Sequence, residues 1–361
     1  MLKKLDIYII KKFLGTFFFI IGIFILITIV FDVSEKIDDF LDNNAPAEAI
    51  IFDYYCTFIP WLYSVLSALI IFLAVIFFTS KLAANNEIVA VLSSGISFNR
   101  FLRPYAIAGG LLFFISLFTN HFLIPISNQR KLAFEHLYYS NDLHYEIGSN
   151  IHRIIKPGTD MYISNYGRMT NTGYNFSIRE LTPDGELKRM FSADRVVWDS
   201  LKSKWVAKTW RERIINGIQE KETRGESKDT ILPFSPDDFS EKPNTVQTMN
   251  YFEITQFIEE EEAKGSNLIK RYKIELHKRT AVPFSILILT LIGACISSRK
   301  IKGGLGMHLV YGIGLGLVYV FLSRVGEVFA TNSGLSPILA VWLPNIFFTG
   351  VAFFIYKIAP K

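Results

Sequence analysis

Cysteine is almost missing from this chain. Its 361 residues contain two, Cys56 and Cys295, both inside apolar runs. No disulfide framework is available, and the thiols read as inert and lipid- or core-facing. No G-x-x-x-x-G-K-[ST] run occurs, so the chain does not cradle a nucleotide phosphate in the usual loop. Energy for any active process would have to come from a partner. HExxH, CxxC and nucleophile-elbow patterns are missing too, and His121, His136, His144 and His152 lack the spacing of a metal site. The expectation is a chain with no enzyme activity, no cofactor and no metal. A cleavable leader is not expected either, because the first apolar run is too long and lacks a small-residue cleavage site. The net charge of +5 calls for no nucleic acid: most basic residues flank apolar runs, where anionic membrane lipids account for them.

What the chain has in abundance is apolar length. Half of its residues are hydrophobic and 15% are aromatic, with a mean hydropathy of +0.29. They cluster into uncharged runs approaching the roughly 20 residues that a bilayer core requires. Six spans are expected, at about 13–31, 52–78, 105–126, from Pro283 to Ile296, 307–322 and 337–356. The fourth looks short, so its first turns should precede the proline. Pro60, Trp61 and Tyr63 suit an interfacial collar. Gly312, Gly314 and Gly316 permit another helix to approach closely. Residues 1–12 are amphipathic and should lie at the headgroups, while 32–50 are expected as an acidic outer loop.

With the N-terminus inside, four inner segments carry twelve lysines and arginines against Lys36 and Arg324 in the two short outer loops. This places both termini in the cytoplasm and residues about 127–279 outside. Lys264, Lys270, Arg271, Lys273, Lys278 and Arg279 run against the rule, but long translocated domains largely escape it. The outer stretch has no membrane-length run. Its alternating segments are punctuated by Pro157-Gly158, Pro183-Asp184-Gly185 and Asn216-Gly217, which are hairpin cues. Roughly eight short strands are expected, in a sandwich or jellyroll. After Pro243, MNYFEITQFIEEEEAKG reads as an amphipathic helix with Ile254, Phe257 and Ile258 on its apolar face and Gly265 at its end. The four consecutive glutamates, 259–262, read as a solvated face. The fold class is therefore membrane α-helical, six transmembrane helices arranged 3+3, with an inserted all-β jellyroll domain. Residues 1–126 form the first membrane half. Residues 127–270 form the outer domain, with the β part at about 144–240 and the helix at about 250–265. Residues 271–361 form the second half.

Several stretches resemble one family across essentially the whole chain and in order: the lysine-rich approach to the first span, NNEIVAVLSSGIS, MNYFEITQFIEEEEAKG, HKRTAVPFSILILTLIGACISSRKIKGG and SPILAVWLPN. They are similar to the YjgP/YjgQ permeases, the LptF and LptG membrane subunits of the lipopolysaccharide-transport exporter. The resemblance implies an inner-membrane heterodimer of paralogous permeases, driven by the dimeric cytoplasmic ATPase LptB. Lipopolysaccharide would be lifted from the membrane and passed along jellyrolls to LptC and a periplasmic bridge.

Candidate site residues follow. The inner loop 82–94 reads as a short helix capped at Asn85 or Asn86 and ended by Gly95, with Glu87 in its first turn where the helix dipole favours it. In the family the matching glutamate lies on the coupling helix that meets the ATPase, so Glu87, Ile88, Val91 and Leu92 are the expected coupling residues. The family's lateral gate lies between spans one and five, where basic residues meet lipid A phosphates. Lys36 and Arg324 are the candidates, followed by Lys270 and Arg271; a charge-assisted hydrogen bond supplies the chemistry. Ordinary ion pairs compete with these readings, Lys36 with Asp32 or Asp39 and Arg324 with Glu327. Trp198, Trp205 and Trp210 are either core or the lining of an acyl-chain groove. Two other function classes are open to such a chain, a membrane-anchored envelope enzyme and a structural tether. The first needs an acid/base or metal constellation, and the second has no use for a helix shaped to meet an ATPase.

Overall fold

A computed structural model describes residues 3–138, 147–167, 170–200, 202–217, 219–230, 232, 234–236, 245–263, 265–266, 268–299 and 304–359. Lys264, Lys300, Lys302 and Lys361 lie outside the described residues, as do His144, Pro243 and both ends of the expected β region. The chain divides into two compact units. One holds residues 1–139, 247–251 and 273–361, and the other 140–246 and 252–272.

Among the described residues six helices are long and apolar enough to cross a membrane, all lying wholly or mainly in the first unit. They are α1 (Lys4–Asp42), α2 (Ala47–Ala84), α4 (Phe98–Glu135), α6 (Ile269–Ser297), α7 (Gly304–Asn332) and α8 (Pro337–Ile358). A short helix, α3 (Glu87–Ser93), links α2 to α4. The stretch expected as an outer loop at 32–50 is helical through Asp42, because no glycine or proline interrupts it before Asn44, which turns to a φ of 51°. Ser97 caps α4 by accepting the Arg100 N–H at 3.4 Å. Helix α6 begins 14 residues before Pro283, as the short fourth span required.

Helix α2 organises this unit. It is 61% buried along its apolar window, as is α6, against 17% for α1 and 22% for α7. On one side Phe13, Phe78 and Tyr105 bring α1, α2 and α4 together, with Phe13 and Phe78 stacked at 5.5 Å. On the other, Phe72 and Ile76 meet Leu289 and Ile292 of α6, Tyr319 of α7 and Phe348 of α8. In lipid such contacts gain dispersion energy rather than hydrophobic energy, so close fit decides the packing. Two of the three expected glycines supply it. A Cβ on Gly312 would strike Ile76, and one on Gly316 would lie 2.5 Å from Leu69, whereas Gly314 faces open space.

The second unit is built on one antiparallel sheet of six strands in sequence order. They are β1 (Ile147–Lys156), β2 (Thr159–Gly167), β3 (Thr172–Leu181), β4 (Leu187–Asp199), β5 (Lys204–Asn216) and β6 (Gln219–Thr230). The inserted all-β domain is present, with six strands of 9 to 13 residues instead of eight short ones. Residues 186–191 and 195–198, which alternate as two separate segments in the sequence, fall from Leu187 on in the single strand β4 because nothing between them breaks the ladder. Turns fall where the glycines are: Gly158, Gly185 and Gly217 all have positive φ, the conformation tight hairpins need. The sheet is strongly curled. Strands β2 and β5 would stand about 14 Å apart in a flat sheet, yet the Tyr166 and Trp205 rings are 6.4 Å apart. One face therefore wraps a core of Met161, Ile163, Phe176, Val196 and Trp205.

Helix α5 (Tyr251–Ala263) follows, ended by Gly265 at φ +65°. Ile254 and Ile258 are buried as expected, but so is Glu261, which was expected in a solvated face. Positions 254, 258 and 261 follow the i, i+4, i+7 spacing of one helical face, so burial reaches the middle of the acidic run.

Candidate functional site

Four helices of the first unit line an open cavity of about 320 Å³. Helix α2 contributes Trp61, Ser64 and Leu69, α4 contributes Asn120 and Asn128, α6 contributes Glu275, Lys278 and Arg279, and α7 contributes Tyr319, Arg324 and Glu327. Polar groups reach it through specific local structure. Residues Thr119–Leu123 form a π-helical turn within α4, the widened geometry that recurs at functional sites. Asn120 sits in that turn and is buried; it accepts from Ser64 Oγ at 2.6 Å and donates to the Ser116 carbonyl at 2.8 Å. On α6, positions 275, 278, 279 and 282 all line the cavity, the i, i+3, i+4, i+7 stripe of one helical face.

The charges of the lining are cross-paired. Lys278 Nζ lies 2.7 Å from Glu327 Oε1, and Arg324 Nη1 lies 3.1 Å from Glu327 Oε2. Arg279, whose side chain is only 4% exposed, approaches Glu275 at 3.5 Å and donates to the Met249 carbonyl at 2.6 Å. Three cations therefore face two carboxylates, leaving an excess of positive charge in a site walled by apolar helices. Such a site suits an anionic group, and Tyr319, Val65 and Leu69 supply an apolar wall for whatever carries it.

The expected basic residues fall in three places. Arg324 lines the cavity and bonds to Glu327, the pairing weighed against its functional reading. Lys36 does not line it. It pairs with Asp32 at 2.9 Å and bonds to the Tyr54 hydroxyl, while Tyr55 donates to the same aspartate at 3.2 Å. Lys270 and Arg271 are exposed in the first turn of α6 and are also outside the lining. Lys278, Arg279, Glu275 and Glu327 were not singled out as ligands from sequence. The signal for Glu275, Lys278 and Arg279 was the helical stripe on α6, legible only once the helix is extended back beyond Pro283; Glu327 stands on α7 beside Arg324.

Helix α3 forms a second place of interest. Glu87 accepts from the Tyr8 hydroxyl at 3.0 Å and from Asn85 Nδ2 at 3.2 Å. Asn86 has a left-handed φ of 60° and makes no side-chain cap. Ile88 is 1% exposed, and Val91 and Leu92 pack partly on the same core. Three of the four expected coupling residues thus anchor the helix to its own chain. The face turned outward carries Val89, Ala90 and Ser93.

In the β domain a second cavity of about 700 Å³ is lined by Ile155, Ile178, Phe191 and Leu232, with Glu180, Arg189 and Lys228 at its polar edge. An ion-pair ladder crosses four strands there: Glu180 to Arg189 at 3.2 Å, Arg189 to Glu212 at 2.5 Å and Glu212 to Lys228 at 2.9 Å. The hydrogen bond from Lys228, with those from Arg189, holds the Glu212 carboxyl below the ordinary range despite some burial. The tryptophans belong to the core and not to this lining. Trp205 is fully buried and donates to the Phe234 carbonyl at 2.8 Å, Trp198 stands edge-on to it at 5.2 Å, and Trp210 stacks on Phe191.

Six helices of membrane-crossing length and composition, interrupted by an inserted β domain and with a cationic cavity among four of them, define a multi-pass membrane protein. The chain matches the lipopolysaccharide export system permease LptF/LptG family over residues 7–358 and belongs to that family. It is accordingly a permease component of the inner membrane, which fits a non-enzyme role. No curated protein matches the chain.

Proposed function

We propose that this chain pairs with a paralogous subunit to extract lipopolysaccharide from the inner membrane and pass it to a periplasmic bridge, driven by a separate cytoplasmic ATPase. The observation that carries the reading is the cavity: Lys278, Arg279 and Arg324 gathered among the spans of a lipopolysaccharide-permease fold. A lipid A phosphate is held there by charge-assisted hydrogen bonds, which are about twice as strong as neutral ones. The apolar trough of the β domain then offers the acyl chains a path after extraction.

The distribution of lysine and arginine supports cytoplasmic termini and a periplasmic β domain. In that orientation α3 lies on the cytoplasmic side. Its outward face of Val89, Ala90 and Ser93, with Glu87 held at the first turn, suits docking into a groove of the ATPase LptB. LptC and the periplasmic bridge follow on the other side of the membrane.

The test is purification of the chain from its native membrane with whatever accompanies it. An ATPase is expected to co-purify and to be lost on Glu87→Lys, together with ATP-driven lipopolysaccharide release. A charge-reversed chain that keeps both its ATPase and its lipid release would rule out the coupling assignment.

A further inference from the structure

Glu327 occupies the two cations that an incoming phosphate would use. Its two carboxylate oxygens are split between helices, Oε1 on Lys278 of α6 and Oε2 on Arg324 of α7. One anionic group bridging two cations through separate oxygens is also the way a phosphate would sit. Glu327 is partly sheltered, its side chain 22% exposed against 64% for Arg324, and it lies three residues from Arg324 on the same helix, so a displaced carboxylate stays beside the cavity.

We propose that Glu327 is a resident competitor that sets the threshold for anions entering this cavity, admitting phosphomonoesters over the phosphodiesters of bulk phospholipid. The proposal rests on the cavity being a headgroup site. Its logic is exchange. A phosphodiester carries one negative charge, the same as the carboxylate it must displace, so it trades like for like and gains little. A phosphomonoester carries about −1.5 to −2 near neutral pH and has three acceptor oxygens. It outbids the carboxylate for Lys278 and Arg324 and has an oxygen left for a further donor. A permease surrounded by a large excess of phosphodiester lipid needs such a threshold, because a bare cationic cavity would fill with its own solvent.

The experiment uses the full chain in the complex with which it purifies, and competition against a fluorescent lipopolysaccharide. In the unaltered protein, phosphatidic acid, a monoester, is expected to compete at about three- to tenfold lower concentration than phosphatidylglycerol, a diester. That range corresponds to the modest strength of partly exposed ion pairs. Equal competition by the two lipids overturns the proposal, and this arm needs no variant to fold. In Glu327→Gln, phosphatidylglycerol is expected to bind about three- to tenfold more tightly and to begin inhibiting lipopolysaccharide binding. A variant that melts like the parent and gains no affinity for phosphatidylglycerol also overturns it. Lys278→Gln and Arg324→Gln separate the two levels of the argument. If neither weakens lipopolysaccharide binding, the headgroup reading of the cavity has failed. If both weaken it while Glu327→Gln changes nothing, only the competitor role has failed.

Discussion

Arg100→Leu should destabilise the end of the helical unit that carries α3. Arg100 grips Asp6 with two parallel hydrogen bonds, Nη1 to Oδ1 and Nη2 to Oδ2, each 2.6 Å. Asp6 is 2% exposed and the arginine 25%. Truncating the arginine leaves a buried carboxylate whose remaining hydrogen-bond donor among the described residues is the Lys3 backbone N–H at 2.8 Å. Breaking a buried pair from one side costs about 3–5 kcal/mol. Water reaches the exposed quarter of Arg100, so the loss falls below that range, at about 2–3 kcal/mol. Removing both charges, in Asp6→Asn with Arg100→Leu, eliminates the stranded carboxylate and should restore all but about 1 kcal/mol. The assay is denaturant unfolding of the full chain in detergent, run as a double-mutant cycle. The loss should also reach Glu87, because Tyr8, which bonds to it, lies two residues from Asp6; faster proteolysis around α3 is the second readout. Additive single effects, or an Arg100→Leu loss under about 0.5 kcal/mol, would refute the reasoning.

Gly316→Leu should force α7 away from Leu69 of α2 and cost about 1–3 kcal/mol in the same unfolding assay, whereas Gly314→Leu, with nothing within 4 Å, should be tolerated. Glu212→Gln should weaken the β-domain ladder by about 1 kcal/mol in thermal unfolding of the full chain followed by its tryptophan signal. The pH dependence has a definite sign. The Glu212 carboxyl is held below its ordinary range in the folded state, so its contribution is complete above about pH 4.3 and disappears as pH falls through the lowered folded value. In Glu212→Gln that part of the acid sensitivity should be gone; an unaltered acid profile would show that the ladder contributes nothing.

The β domain was legible wherever a turn has an obligatory chemistry. Gly158, Gly185 and Gly217 marked three hairpins because few other residues sit at positive φ without cost. Curling of the sheet was not legible, since it depends on Trp205 reaching Tyr166 across two intervening strands, and nothing local encodes that. In the helical unit, hydropathy located all six spans but cut them short. It counts charge against a span, although Asp32, Asp38 and Asp42 extend α1 without hindrance once it is outside the hydrocarbon. The same bias hid the cavity. Lys278 and Arg279 read as part of an outer basic stretch until α6 is seen to run unbroken from Ile269. Arg324 was legible as a basic residue at the end of the fifth span and Glu327 as its ion-pair partner; that both line one cavity was not. Ile88 shows the converse problem: in so short a helix the apolar residues can face either the chain or a partner, and periodicity alone does not choose.

Helix α1 holds 39 residues in one uninterrupted rod, a length of about 58 Å. Its first turn is clamped to α4 through Asp6, and its far end carries Lys36 and Asp32 against the tyrosines of α2. A rod with no joint is a lever: a tilt of about 5° imposed at the clamp sweeps the opposite end through about 5 Å. Movement imposed beside Tyr8 would therefore reach the far end of α1 as a tilt of the whole rod, without any chain of side-chain rearrangements to carry it.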